Sequence, residues 1–204
     1  MSQGVSTRME AVARLEHDAE LMLRVKDGDT ESFERLLGKY RSSVISYLYR
    51  MVQNQAVAEE LAQEVFFRVY RSRSTYEPTA KFTTWLFRIA THLALNSLRD
   101  HRNERGQESL DQGTADAPGI QVMDQRRNRE QEMVAEARLE EVRRAVAALP
   151  EKQRAAVLMH KYQEMDYGQI AGVLGCSSSA VKSLLFRAYE TLRTRLCHLL
   201  ESAA

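Results

Sequence analysis

Apolar residues recur at three- and four-residue intervals along most of this chain, the spacing that gathers them on one side of an α-helix. A first helix runs through Leu21, Leu23 and Val25 and stops near Gly28. Asp29 caps a longer one carrying Phe33, Leu36, Leu37, Tyr40, Val44, Ile45, Leu48 and Met51. A third, from about Gln55 to Arg73, spaces Val57, Leu61, Val65 and Val69 four apart. Pro78 keeps the stretch from Ser74 to Thr79 out of any helix. A fourth helix starts near Lys81 and follows Trp85, Leu86, Ile89, Ala90, Leu93 and Leu98. Four helices with this much apolar surface suffice for one core.

The periodicity stops between Gly106 and Gly119, where Gly, Ser, Asp, Gln, Thr and Pro dominate, and it resumes at Met133, Val134, Leu139, Val142, Val146 and Leu149. Pro150 is expected inside the first turn of the next helix, where its missing N–H costs nothing. That helix carries Val157, Leu158 and Tyr162. Asp166 and Gln169 then have the spacing of a capping box. Ile170, Ala171, Val173 and Leu174 form the buried side of a short helix, and Gly175 lets the chain turn. Ser177 or Ser178 caps the last helix, whose inner side is Val181, Leu184, Leu185, Ala188 and Leu192. Its outward side, after Ser178, is Ser179, Lys182, Ser183, Phe186 and Arg187. A helix held by its inner face that presents Lys, Ser and Arg outward suits a DNA major groove. The expected fold is all-α. A four-helix domain at residues 19–105 and a helix-turn-helix domain at 131–200 are joined by a flexible linker at 106–130. About 24 extended residues reach ~80 Å, and one and a half turns of B-DNA cover about 50 Å. Tethered domains of this kind could hold DNA at two places at once.

Composition narrows the class. The chain has 204 residues, 44% apolar and 28% charged, with nine Gly and three Pro, which suits a soluble helical protein. No apolar run approaches the ~18 residues of a membrane span, and residues 1–20 carry acids without an apolar core. No membrane insertion or secretory signal is expected, and the cytoplasm is the expected location. Cys176 and Cys197 are expected as free, packed thiols. With His160 and His198 they lack metal-ligand spacing, so no metal is expected. Nor does any Ser/His/Asp grouping or phosphate loop point to an enzyme or a cofactor.

A net charge of +1 is uninformative, but its distribution is not. From Arg68 to Arg105 eight basic residues face three acidic ones, and from Lys182 to Arg195 four face one. Two basic stretches separated by acidic ones predict two contacts with a polyanion. In the first, Tyr76, Lys81, Phe82, Trp85, Phe87, Arg88, His92, Asn96 and Arg99 interleave rings with cations. Rings of that kind take the face of an unstacked base, at about 1–3 kcal/mol per base, while the cations follow phosphates. The competing reading puts Phe82 and Trp85 in the core below a solvated cationic face. The loop from Tyr76 to Lys81 is read as a nucleic-acid contact. Glu59, Glu60, Gln63 and Glu64 form an acidic face, which repels phosphate and fits a basic protein partner.

Together these segments resemble the extracytoplasmic-function sigma factors, promoter-specificity subunits of bacterial RNA polymerase. The motifs that carry the resemblance are Gly28-Asp29-Thr30-Glu31-Ser32-Phe33; Ala58-Glu59-Glu60-Leu61-Ala62-Gln63-Glu64-Val65-Phe66; Phe82-Thr83-Thr84-Trp85-Leu86-Phe87-Arg88-Ile89-Ala90 with Asn96-Ser97-Leu98-Arg99; Leu149-Pro150-Glu151 with Arg154; and the terminal helix-turn-helix. The resemblance covers the chain from about Leu21 to Leu196. It implies that Glu59, Glu60, Gln63 and Glu64 dock on the clamp helices of the polymerase's largest subunit. Tyr76, Lys81, Phe82, Trp85, Arg88, His92 and Asn96 would recognise and melt the minus-10 element. Lys182, Ser183, Phe186 and Arg187, with Ser178 and Ser179 beside them, would read the minus-35 duplex. Core RNA polymerase and promoter DNA are the implied partners, an anti-sigma factor is a further one, and no cofactor is implied. Leu184 stands where the family often has Arg, which implies one phosphate contact fewer and a salt slope lower by about one. The alternative is a helix-turn-helix regulator that binds duplex DNA without acting as a sigma subunit.

Overall fold

The computed structural model describes residues 17–107 and 129–201, and every regular element among them is helical. Helix α1 spans 17–26. It is followed by α2 (Thr30–Val52), α3 (Gln55–Arg71), a 3-10 turn (Arg73–Thr75), α4 (Phe82–Gln107), α5 (Arg129–Ala147), α6 (Glu151–Tyr162), α7 (Tyr167–Leu174) and α8 (Ser178–Glu201). Of the expected linker, residues 108–128 lie outside the described residues.

Side-chain chemistry at the helix ends explains most of the boundaries. The chain turns at Gly28 with φ +98°. Asp29 then accepts from the Ser32 amide at 3.2 Å and the Ser32 hydroxyl at 2.7 Å, which holds its carboxyl below the usual range. Asn54 caps α3 through the Val57 amide at 3.1 Å. Helix α3 stops two residues short of the predicted Arg73, because the chain tightens there into the 3-10 turn. There the Ser72 hydroxyl bonds back to the Arg68 carbonyl at 2.5 Å, and Thr75 Oγ1 to the Ser72 carbonyl at 3.1 Å. Pro150 sits at the N-cap of α6 with extended backbone, φ −51° and ψ 141°, rather than inside the first turn as predicted. The capping box of α7 is complete. The Gln169 amide reaches Asp166 Oδ1 at 2.8 Å, and the Asp166 amide reaches Gln169 Oε1 at 3.0 Å. Gly175 leaves α7 in the left-handed region at φ +63°, and Ser177, not Ser178, caps α8 through the Ala180 amide at 3.2 Å. Replacing Asp166 by Ala is expected to cost about 1 kcal/mol and to lower the melting temperature by roughly 2–4 °C, measurable by calorimetry.

Helices α1 to α4 bury Met22, Leu36, Val44, Leu48, Met51, Val65, Leu86 and Ala94 among themselves. The Tyr47 hydroxyl pairs with Thr91 Oγ1 at 2.7 Å inside this core, where burial pushes the phenol pKa up. Helices α5 to α8 bury Leu149, Leu158, Met159, Ile170, Val173, Val181, Leu185 and Ala188. The sequence pattern predicts two lobes joined through a linker. In the structure α7 packs on α4 and α6 on α2, so the buried residues form one continuous cluster.

Candidate nucleic-acid interface

Helix α8 is fixed by Val181, Leu185 and Ala188, all buried. Opposite them Ser178, Ser179, Lys182, Ser183, Phe186 and Arg187 are exposed. Phe186 is 68% exposed, more than any other large apolar side chain among the described residues. Polar contacts on this face reach no further than the helix and its Ser177 cap. The Ser183 hydroxyl donates to the Ser179 carbonyl at 3.1 Å, and Arg187 Nε to the Ser183 carbonyl at 3.3 Å. A single bond from Nε leaves most of the five-donor guanidinium fork of Arg187 for an external acceptor. Leu184, by contrast, packs on the core.

The second predicted surface divides. Lys81, Arg88, His92 and Asn96 are exposed and Trp85 is half-buried. Tyr76 and Phe82 are corrected to core residues, 3% and 1% exposed. The Tyr76 ring lies 4.9 Å from Trp85 and 6.5 Å from Phe82, and Phe82 lies 5.5 Å from Tyr40. Ring–ring packing of this kind adds to plain area burial, and it leaves neither face of Tyr76 or Phe82 open to a base. The Tyr76 hydroxyl is buried without a hydrogen-bond partner. Burial first, and then the charge of Asp18, push its pKa up.

Two exposed cations of α4, Arg88 and Arg102, have partners in the second half of the chain. Arg88 donates from Nε (2.9 Å) and Nη2 (2.6 Å) to the carbonyl of Gly172 in α7. The side-chain Nε2 of Gln169 donates to Thr84 Oγ1 at 3.4 Å. A cleft of about 420 Å³ remains between the two helices, lined by Lys81, Trp85, Arg88, Asp166 and Gln169 among others. Arg102 pairs with Glu151. Arg154 donates to the Met51 carbonyl of α2 and, at 3.2 Å, to the Leu149 carbonyl. Burial lowers the Arg154 pKa, with Glu151 opposing. The guanidinium of Arg50 lies 4.2 Å from the centre of the Tyr162 ring. Sequence periodicity does not foresee these contacts, although the Leu149-Pro150-Glu151 and Arg154 motif supplies three of the residues.

On α3, Glu59, Glu60 and Gln63 are exposed and Glu64 is partly so. Arg68 holds Glu64 at 2.6 Å, and Gln55 holds Glu59 at 2.5 Å. Sequence reasoning missed Phe67, 59% exposed and in line with Glu60 and Glu64 at helical spacing. The signal was the Val65-Phe66-Phe67 run, since three successive positions span about 200° of a helix, more than the apolar stripe of a half-buried one covers. Among the described residues no His, Cys, Asp and Glu cluster could hold a metal ion. Cys176 and Cys197 are free thiols, but Cys197 is exposed rather than packed. No single helix among the described residues is long and apolar enough to cross a membrane.

Comparison with known proteins gives two family matches along the chain. The family profile for Sigma-70 region 2 matches residues 36–104, and that for Sigma-70, region 4 matches residues 139–192. The chain is 30% identical over 193 residues to the RNA polymerase sigma-H factor of Pseudomonas aeruginosa, covering 92% of this chain and 98% of that protein. It is also 30% identical over 182 residues to the ECF RNA polymerase sigma-E factor of Escherichia coli K12, covering 88% and 94%. Among solved structures, the sigma factor RpoE bound to the anti-sigma factor NepR from Bartonella quintana aligns with a TM-score of 0.63 at 20% identity, covering 81% of this chain and 97% of that one. CnrH in complex with the cytosolic domain of CnrY aligns at 0.61 and 21% identity, covering 92% and 99%. These two share the fold.

Proposed function

The chain belongs to the extracytoplasmic-function RNA polymerase sigma factor family, and we propose how its two halves divide the work of promoter recognition. Residues 131–200 grip the minus-35 element as duplex, with Lys182, Ser183, Phe186 and Arg187 entering the major groove and Ser178 and Ser179 near the backbone. Residues 19–105 dock on core polymerase through Glu59, Glu60, Gln63 and Glu64, which Phe67 extends, and hold the opened minus-10 strand on Trp85, Lys81, Arg88, His92 and Asn96. The observation that carries this reading is α8. Its inner residues are buried in the core and its outer ones are all exposed, with donors suited to base edges and phosphates.

Strand opening costs about 1.4 kcal/mol per base-pair step. A factor without its own energy source offsets that by binding the opened strand better than the duplex, and stacking on a ring is the available means. Polymerase supplies the catalysis. Promoter engagement also needs α7 to leave α4, because Arg88 and Thr84 are occupied by Gly172 and Gln169. An anti-sigma factor that holds the halves together is a fitting partner, and one sigma factor of this fold, RpoE of Bartonella quintana, occurs in complex with an anti-sigma factor.

The test is reconstituted transcription. Core polymerase with this chain is expected to start RNA at defined sites, and Glu60→Lys to weaken core association by roughly tenfold or more, since like charges replace a complementary pair. The duplex affinity of α8 is expected to stay unchanged. Footprinting of duplex DNA without initiation would favour the regulator reading.

A further inference from the structure

Helix α1 lies outside the stretch matched by region 2, and none of the roles above uses it. Its buried side carries a charge. Asp18 is 1% exposed, with Met22 and Val25 further along the same buried side. Its carboxylate accepts from Lys39 Nζ at 2.5 and 2.6 Å and from the Tyr40 hydroxyl. Two turns later Lys26 Nζ donates to the backbone carbonyl of Tyr76 at 3.2 Å. The C-terminal end of α1 is thereby tied to the stem of the loop between the 3-10 turn and α4, and its N-terminal end to α2 beside Phe82, the first residue of α4. Asp18 fixes Tyr40, whose ring packs on Phe82, and Lys26 fixes Tyr76, whose ring packs on Trp85. An apolar side chain at position 18 would fill the space without the desolvation cost of a buried carboxylate. What the carboxylate adds is direction, because it holds two donors in one geometry.

We propose that α1 is a clip that sets the position of the Tyr76–Lys81 loop and of Trp85, with Asp18 and Lys26 as positioning residues for capture of the opened minus-10 strand. The proposal rests on the minus-10 reading of Trp85 given above. The measurements can separate the two, because Trp85 is the sole tryptophan of the chain, so intrinsic fluorescence reports the clip without any DNA.

Lys26 is exposed, and Lys26→Met leaves the folded core untouched while deleting one charged donor. In the free full-length chain, Lys26→Met is expected to increase acrylamide quenching of Trp85 and Lys26→Arg to restore it. In holoenzyme, Lys26→Met is expected to weaken capture of a fluorescent single-stranded minus-10 oligonucleotide, taken from a promoter mapped by RNA 5′ ends, by about three- to tenfold, the scale of one hydrogen bond. Core association and minus-35 duplex affinity are expected to hold within about twofold. Asp18→Asn keeps the shape and loses the charge, and it is expected to act in the same direction. Unchanged quenching in Lys26→Met overturns the clip. So does a loss that Lys26→Arg fails to restore, or a parallel fall of all three binding functions. Quenching that responds while unmodified holoenzyme captures no strand supports the clip and removes the minus-10 reading instead.

Discussion

A chain bearing Thr84→Cys and Gly172→Cys, in a background of Cys176→Ala and Cys197→Ser, is expected to lose promoter-dependent transcription on oxidation and regain it on reduction. A Cβ built at Gly172 meets Thr84 Cγ2 at 3.7 Å and no other atom within 4 Å, which puts the Thr84 Cβ beyond 4 Å; disulfides span Cβ separations of about 3.5–4.5 Å, so the bridge requires the upper end of that range. The bridge would pin α7 over the face of α4 that bears Arg88 and Trp85. Effective closure removes the promoter-competent population, and apparent affinity falls with that fraction. A drop of about a hundredfold or more in run-off product corresponds to roughly 1% left open. The reduced protein and the single-cysteine variants serve as controls. Full activity in the oxidised protein would mean that the packed arrangement and the promoter-bound one are the same.

The second large effect is expected from Lys182→Ala combined with Arg187→Ala. Each contact that reaches a base edge contributes about 1–3 kcal/mol of discrimination, so the pair should lower minus-35 duplex affinity by at least about tenfold and erase preference for the cognate sequence. Titration against salt divides the loss between bases and backbone. If both side chains bind phosphate instead, the logarithmic salt slope falls by up to about 1.8, and affinity drops evenly across sequences. Both side chains are exposed, so folding is expected to be unaffected, and core association should persist. Loss of core association would place the docking surface in the wrong half of the chain.

Much of this was legible along the chain because it is local. The Asp29 cap, the Asp166 and Gln169 box, the turn at Gly175 and the two faces of α8 each depend on residues within one or two helical turns. What escaped was set by distant partners. Tyr76 beside a proline loop reads the same whether its ring points inward or outward, and only the packing of Trp85 and Phe82 decides it. Asp18 sits where periodicity expects either a solvated acid or an apolar residue, and its burial depends on Lys39 and Tyr40 more than twenty positions on. The acceptor for Arg88 is a main-chain oxygen 84 positions away, which no side-chain pattern encodes. Domain existence was readable, but docking of one domain on the other was not, because an exposed cationic face and a covered one share the same spacing.

Two of the fastenings between the halves end on main-chain oxygens, those of Gly172 and Met51. A substitution at either position leaves the acceptor atom itself in place and acts only through packing, Met51 being buried and Gly172 facing Thr84, whereas each guanidinium is a single point of failure. Selection on how readily the halves part therefore has few handles, and Arg88 is one of them. Since the same side chain is assigned to the opened promoter strand, ease of release and strength of grip cannot be tuned independently at that position. Lineages that need a quieter or a more responsive factor are expected to vary Arg102, Glu151 and Arg154 first.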